Sequence, residues 1–224
     1  MTTVIMGQKV ELSGRIRDFL YHAVDRQEGA GSLAVHLKKV YADLQQSRGF
    51  AELLEAARRF TPGAHNPVFH ESLAEERRCR LSLVGIHRFA PIPVHDHPHT
   101  TGVQLVVHGR VRVRNYRISE VVREPSLVKL ECVADSTLGA GATAAVEAGA
   151  NNLHGLQAQN LTAVCLALQT PPLAAERQAW YFPTHPLEGH HQHAAWNRIV
   201  KPARRPGSGR NRPAGFEAGG AWSC

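Results

Sequence analysis

Two histidines separated by one residue, His95 and His97, stand in the stretch Pro93 to Tyr116, PVHDHPHTTGVQLVVHGRVRVRNY. On a strand, residues i and i+2 point to the same face. Both imidazoles can therefore reach one metal ion, and neutral imidazole is the commonest side-chain ligand for such ions. Pro93 and Pro98 bracket the pair and stiffen it. Asp96, between them, faces the other way, where it could receive a backbone or ring hydrogen bond.

A pair of ligands needs a rigid frame, and the surrounding residues read as one. Thr101 to Val107 is a strand, His108-Gly109 a tight turn, and Arg110 to Arg114 a third strand. In that strand Arg110, Arg112 and Arg114 alternate with Val111 and Val113, the period of a half-buried strand. Further strands are predicted at Arg80 to Phe89, Ser126 to Val133, Ala144 to Glu147, from Leu153, at Leu161 to Leu168 and at Gln178 to Phe182. Ala140-Gly141-Ala142 reads as a turn, and Thr61 to Asn66 and Gly149 to Asn152 as loops. About eight short strands with turn signals between them imply a double-sheet jelly roll or barrel. Ahead of them, residues 11–60 carry helical periodicity in three stripes. The first is Ile16, Phe19, Leu20, Ala23 and Val24. The second, capped by Ser32, is Leu33, Leu37, Val40, Tyr41 and Leu44, and the third is Phe50, Leu53, Leu54 and Ala57. From about residue 187 the chain turns rich in Gly, Pro and Arg and cannot bury enough apolar surface to fold alone. The expected division is a helical segment over 1–60 packed on a barrel over 61–187, with a disordered basic tail over 188–224.

The 224 residues, 43% of them hydrophobic, suffice for one well-filled core. No apolar run approaches the roughly 18 residues of a membrane span. The first residues have no secretory pattern. The four cysteines, Cys79, Cys132, Cys165 and Cys224, form no close pair, so reduced thiols and a cytoplasmic location are expected. The net charge of +7 suggests nucleic acid, but residues from Gly189 onward supply +5 of it, leaving +2 for the rest. Any nucleic-acid contact belongs to the tail. His190, His191 and His193 read as part of that solvated tail.

The two halves of the barrel resemble a known pattern. PVHDHPHTTGVQLVVHGRVRV is similar to the first cupin motif and NNLHGLQAQNLTAVCLALQTPP to the second. More narrowly, residues 79–183 resemble the thiol dioxygenases: cysteine dioxygenase, and the cysteamine and plant cysteine oxidases. The resemblance covers the His-Asp-His triplet, the Asn-x-His phrase, Pro171-Pro172 and the closing RQAWYFP. It implies a mainly β, cupin double-stranded β-helix with an N-terminal helical segment. It also implies Fe(II) held by His95, His97 and His154, and addition of both atoms of O2 to the sulfur of a small thiol, giving a sulfinate. Common mononuclear iron oxygenases use two histidines and a carboxylate; the position where the usual cupin motif carries its acid falls here at neutral Gln104. Three neutral imidazoles leave the metal's charge undiminished and favour a thiolate. No dinucleotide or phosphate-loop motif occurs, in keeping with a substrate that supplies its own electrons.

The departures matter as well. Where animal cysteine dioxygenases cross-link a cysteine to a tyrosine, this chain has Gly102 and Gln169. Where cysteine dioxygenase has an arginine for the substrate carboxylate, it has Glu71, which would hold an amine instead. Where the plant and cysteamine enzymes have an aspartate before Pro-Pro, it has Ala167. Glu71, Gln104, Gln169 and Tyr181 are the candidate substrate-binding residues. Trp180 joins Tyr181 as a residue either lining the pocket or packing the core. His99 either orients the ligand loop or lies exposed, and His87 and His108 read as structural. Two other readings stay open: another metal-dependent cupin enzyme, and a non-catalytic ligand-binding or regulatory cupin.

Overall fold

The computed structural model describes residues 29–63, 66–76, 79–123, 127–147, 152–170, 179–183 and 195–200. Two helices come first, α1 (Ala30–Leu44) and α2 (Arg48–Arg58). Leu33, Leu37, Val40 and Leu44 are the buried stripe of α1, as their spacing predicts. The helix begins one turn earlier than expected, with Gly29 as N-cap and the Leu33 N–H donating to Gly29 O at 3.2 Å. Ser32 therefore lies within the first turn and is not the cap. Phe50 and Ala57 bury α2, and Tyr41 meets Phe50 edge-on at 6.1 Å. The stripe of Ile16 to Val24 lies outside the described residues.

Eleven strands follow among the described residues: β1 (Phe69–Glu76), β2 (Cys79–His87), β3 (Ile92–His95), β4 (Gly102–His108), β5 (Arg110–Arg123), β6 (Leu127–Gly139), β7 (Thr143–Val146), β8 (Leu153–Ala158), β9 (Thr162–Gln169), β10 (Ala179–Pro183) and β11 (Ala195–Val200). They form two antiparallel sheets. The first has the order β1-β2-β9-β4-β7; the second, β10-β11-β6-β5-β8-β3, closes on itself. One face of the first sheet, with Leu81 and Leu83, Val103, Leu105 and Val107, and Val164, Leu166 and Leu168, packs against the two helices in one buried cluster. Its other face meets the second sheet through Ile86, Val106, Val111, Val113, Leu156, Ala158, Ala163 and Cys165. A third cluster, including Val94, Tyr116, Leu130, Leu153 and Tyr181, lies on the opposite face of the second sheet. Period-2 alternation sorts each strand's residues between these layers. No helix among the described residues is long and apolar enough to cross a membrane.

Two glycines are dictated by geometry. Gly109, at the predicted turn, has φ +75°, and a Cβ there would lie 2.8 Å from Thr162 O. Gly85 lets α2 approach the sheet: a Cβ would lie 3.1 Å from Ala57 O.

Two strands differ from expectation. β1 reads FHESLAEE, too charged to show a strand pattern; it is an edge strand, and edges tolerate charge. β11 falls inside the segment expected to be a tail. Its six residues, AWNRIV, pair with both β10 and β6, so the second sheet continues beyond residue 187. Averaging composition over a Gly/Pro/Arg-rich stretch hid a short run of good strand formers. Pro171-Pro172, the three tail histidines and Cys224 lie outside the described residues.

Candidate metal centre

Strand β3 ends at His95, so the ligand pair sits on the strand's end and on the loop just beyond it. The chain stays extended there because Asp96 locks it to β10. The Asp96 N–H donates to Ala179 O at 3.1 Å, and the Ala179 N–H donates to Asp96 Oδ1 at 2.7 Å. His97 then opens a turn closed by the Thr100 N–H donating to His97 O at 3.1 Å. His99 occupies that turn in the left-handed region, φ +61°, and is exposed. The third histidine, His154, is carried on β8 directly opposite His95 in the antiparallel pairing of β3 and β8.

The three Nε2 atoms form a near-equilateral triangle. His95 to His97 is 3.0 Å, His97 to His154 is 3.2 Å and His95 to His154 is 3.2 Å. All three residues are buried, His154 at 2% exposure. Burial pushes His97 down to about 4 and, with His95 and His97 beside it, holds His154 well below its usual range. Both rings are therefore neutral near pH 7, the form that ligates metal. At His95 the Nδ1 lies 2.9 Å from Pro93 O, which can only accept. The proton sits on Nδ1 and leaves Nε2 bare. Converging lone pairs at this spacing are what a cation resolves. A metal ion bound to all three Nε2 atoms would be held by neutral imidazoles alone. Among the described residues this is the only group of three or more potential ligands found together, and no carboxylate belongs to it. The three histidines thus fit a metal with positions left over.

Neighbouring residues fix the ligands. Asn152 clamps His97 from across the site: its Oδ1 accepts the His97 N–H at 3.2 Å, and its Nδ2 donates to His97 O. Trp180 pairs with His95 across β10 and β3 and stacks on its ring, centroids 4.8 Å apart and planes 25° from parallel. Asn115 lies cross-strand from His154, and its Oδ1 is buried without a hydrogen-bond partner. The sequence carried a signal for Asn115: it is the polar residue in phase with Val111 and Val113.

Of the candidate substrate residues, two face the inter-sheet space. Gln104 stands cross-strand from Ala167 and Ala144, on the face of Val106. Gln169 stands cross-strand from Arg80 and Gly102, on the face of Cys165. Both lie toward the end where the histidine loop runs into β4. The other two point away. Glu71 pairs with Leu83, whose side chain is in the helix-side core, and is itself exposed. Tyr181 pairs with Val94 and packs with it, 1% exposed, on the far face of the second sheet. One residue on from Tyr181, or before it, changes the face, and Trp180 is the one that meets His95. His87 is buried, and His108 is half-buried near Glu55 and Arg58; neither joins the cluster.

A family model for PCO_ADO, the plant cysteine oxidases and cysteamine dioxygenases, matches residues 35–205. The chain belongs to this family. PCO_ADO proteins are cupin-type thiol dioxygenases and metal-dependent, and the match gives this chain its cupin fold. Solved structures are similar only loosely. The cupin domain of Cnp3 from Schizosaccharomyces pombe is 11% identical with a TM-score of 0.38, over 51% of this chain and 66% of that one. The TT1209 protein of Thermus thermophilus is 20% identical with a TM-score of 0.40, over 53% and 93%. A double-stranded β-helix protein of Klebsiella pneumoniae is 15% identical with a TM-score of 0.39, over 53% and 89%. The chain thus spans just under two thirds of the first of these. A comparison with curated proteins gives no match.

Proposed function

We propose that this protein is a non-haem Fe(II) thiol dioxygenase that converts a small thiol to its sulfinate, with His95, His97 and His154 holding the iron. The observation that carries the reading is the buried triangle of Nε2 atoms, 3.0–3.2 Å on a side, with no carboxylate in the group. Ferrous iron, when bound, supplies the redox chemistry that lets O2 react with a thiolate. The residues supply the setting. Three neutral imidazoles add no negative charge, so the site favours an anionic sulfur over a neutral one. Burial of the three rings keeps bulk water from the reacting atoms. Pro93 O and Asn152 hold two of the ligands in place. Gln104 and Gln169 offer neutral hydrogen-bonding groups to the rest of the substrate, and the unfilled Asn115 Oδ1 is an acceptor for a substrate N–H or O–H. Both oxygen atoms end on sulfur, whose own electrons reduce them, so thiol plus O2 balances the sulfinic acid without another reductant. The same reading places the protein in the cytoplasm, where thiols stay reduced.

The test is oxygen uptake by the Fe(II)-loaded protein with cysteine, cysteamine, 3-mercaptopropionate and a peptide bearing N-terminal cysteine, with sulfinate assayed in each. Uptake matched by sulfinate and lost in His154→Ala supports the reading. No uptake with any thiol at full iron occupancy overturns it.

A further inference from the structure

His95 is held on one edge by Pro93 O and on one face by the Trp180 indole. Trp180 is not on the ligand loop; it comes from β10, 85 positions later by residue number. What brings it there is Asp96, the middle residue of His-Asp-His. Asp96 turns its carboxylate away from the other two side chains and joins Ala179 through a reciprocal pair of hydrogen bonds at 3.1 and 2.7 Å. The next residue of β10 is Trp180. β10 in turn pairs along its whole length with β11, which pairs with β6. The chain of contact therefore runs from β11 through β10 and the Asp96–Ala179 latch to the face of a metal-ligating ring.

We infer that Trp180 and Asp96 are positioning residues of the metal centre, and that the β10–β11 pair acts as a clasp whose closure and metal binding support each other. The inference rests on the reading of His95 as a ligand. Its physical content is that an imidazole on an isolated strand end rotates about its side-chain bonds, and each rotation lowers the fraction of chains ready to bind. A stacked indole removes that freedom, and Asp96 keeps the indole in register. Coupling is reciprocal: whatever Trp180 adds to metal affinity, bound metal returns to the docking of β10.

The probe is cobalt(II), titrated into metal-free full-length protein while tryptophan emission is followed and bound metal is counted separately. The chain has three tryptophans, so Trp180→Phe isolates the one that matters. Cobalt is expected to quench the wild type. Trp180→Phe, which keeps a stacking ring, should bind cobalt within about threefold of wild type while losing the quench. Trp180→Ala and Asp96→Ala should each weaken cobalt binding by ten- to a hundredfold, the usual cost of removing a partner that orients a ligand. Asp96→Asn, which keeps the acceptor for the Ala179 N–H, should recover most of that loss. Cleavage within β10–β11 by a protease should slow on adding cobalt in the wild type and be indifferent to it in Trp180→Ala. Wild-type affinity in both alanine variants, or an undiminished quench in Trp180→Phe, overturns the inference. Failure of the metal reading itself looks different: the wild type would then bind cobalt no better than His154→Ala.

Discussion

Asn152→Ala tests most directly how the ligand loop is held. In the wild type the Asn152 side chain satisfies both backbone groups of His97, and both residues are 7% exposed. Truncation leaves the His97 N–H buried without a partner, which costs about 1–3 kcal/mol. The His97 carbonyl keeps the Thr100 N–H at 3.1 Å, so its loss is that of one ordinary hydrogen bond, about 0.5–1.5 kcal/mol. Together the loss is about 1.5–4.5 kcal/mol. For a chain of this size each kcal/mol lowers the melting temperature by roughly 2–4 °C, so a fall of roughly 3–18 °C is expected. Calorimetry on metal-free protein is the assay, because the hydrogen bonds belong to the chain and exist before metal binds. A cobalt titration on the same samples should show weaker binding, since His97 is no longer pinned. A metal-free variant melting within about 1 °C of wild type would refute the reasoning. A difference seen only with metal present would refute it too, by placing the clamp's energy in the metal and not in the backbone.

Other outcomes follow from the same structure. Gly109→Ala combines φ +75° with a Cβ 2.8 Å from Thr162 O; it should destabilise by at least about 1–2 kcal/mol, measured by urea unfolding. Asp135 is bridged by Arg112 and Arg114, and the Arg112 hydrogen bonds, foremost, hold its carboxyl below the usual range. A lowered carboxyl stabilises above its unfolded value and loses that contribution as pH falls. Asp135→Asn should therefore cost roughly 0.5–1 kcal/mol at neutral pH, discounted for exposure, and the gap from wild type should close as acid unfolding is carried below the usual carboxylate range. Burial pushes the Cys165 thiol up to about 12, so among Cys79, Cys132 and Cys165 only half-buried Cys132 should react with a thiol reagent in the native state, with Cys165 silent until the protein unfolds. Mass spectrometry of the labelled peptides decides it.

How much of this was legible depends on how local the signal was. Val111, Val113 and the arginines between them fixed a strand and its faces, because alternation is a property of neighbouring residues. The shared face of His95 and His97 is legible for the same reason. His154 enters only through the family resemblance, since nothing within its own strand says which other strand lies opposite. Glu71 and Tyr181 face away from the triangle for one reason: on a strand one residue is the difference between two faces. Which face looks inward is set by pairing with Leu83 and with Val94, partners beyond the reach of any sequence window. Asp96 accepts a backbone hydrogen bond as its position suggests, but which backbone it meets, and the clamp made by Asn152, lay out of reach because both partners are far away in the chain.

Those separations also set an order of events during synthesis. His95 and His97 leave the ribosome with neither companion available: His154 follows 57 residues after His97, and Ala179 lies 83 residues after Asp96. A nascent chain can at most present a bidentate site with a mobile ring. Closing loops of this length is slow compared with forming α1 or α2, whose contacts are local. The centre thus takes shape after the local helices, together with the long-range pairing of β2 and β4 with β9, whose partners are as far apart in the chain. A chain that meets no metal would therefore carry its helices and much of its sheet pairing before three converging imidazoles have anything to hold them together.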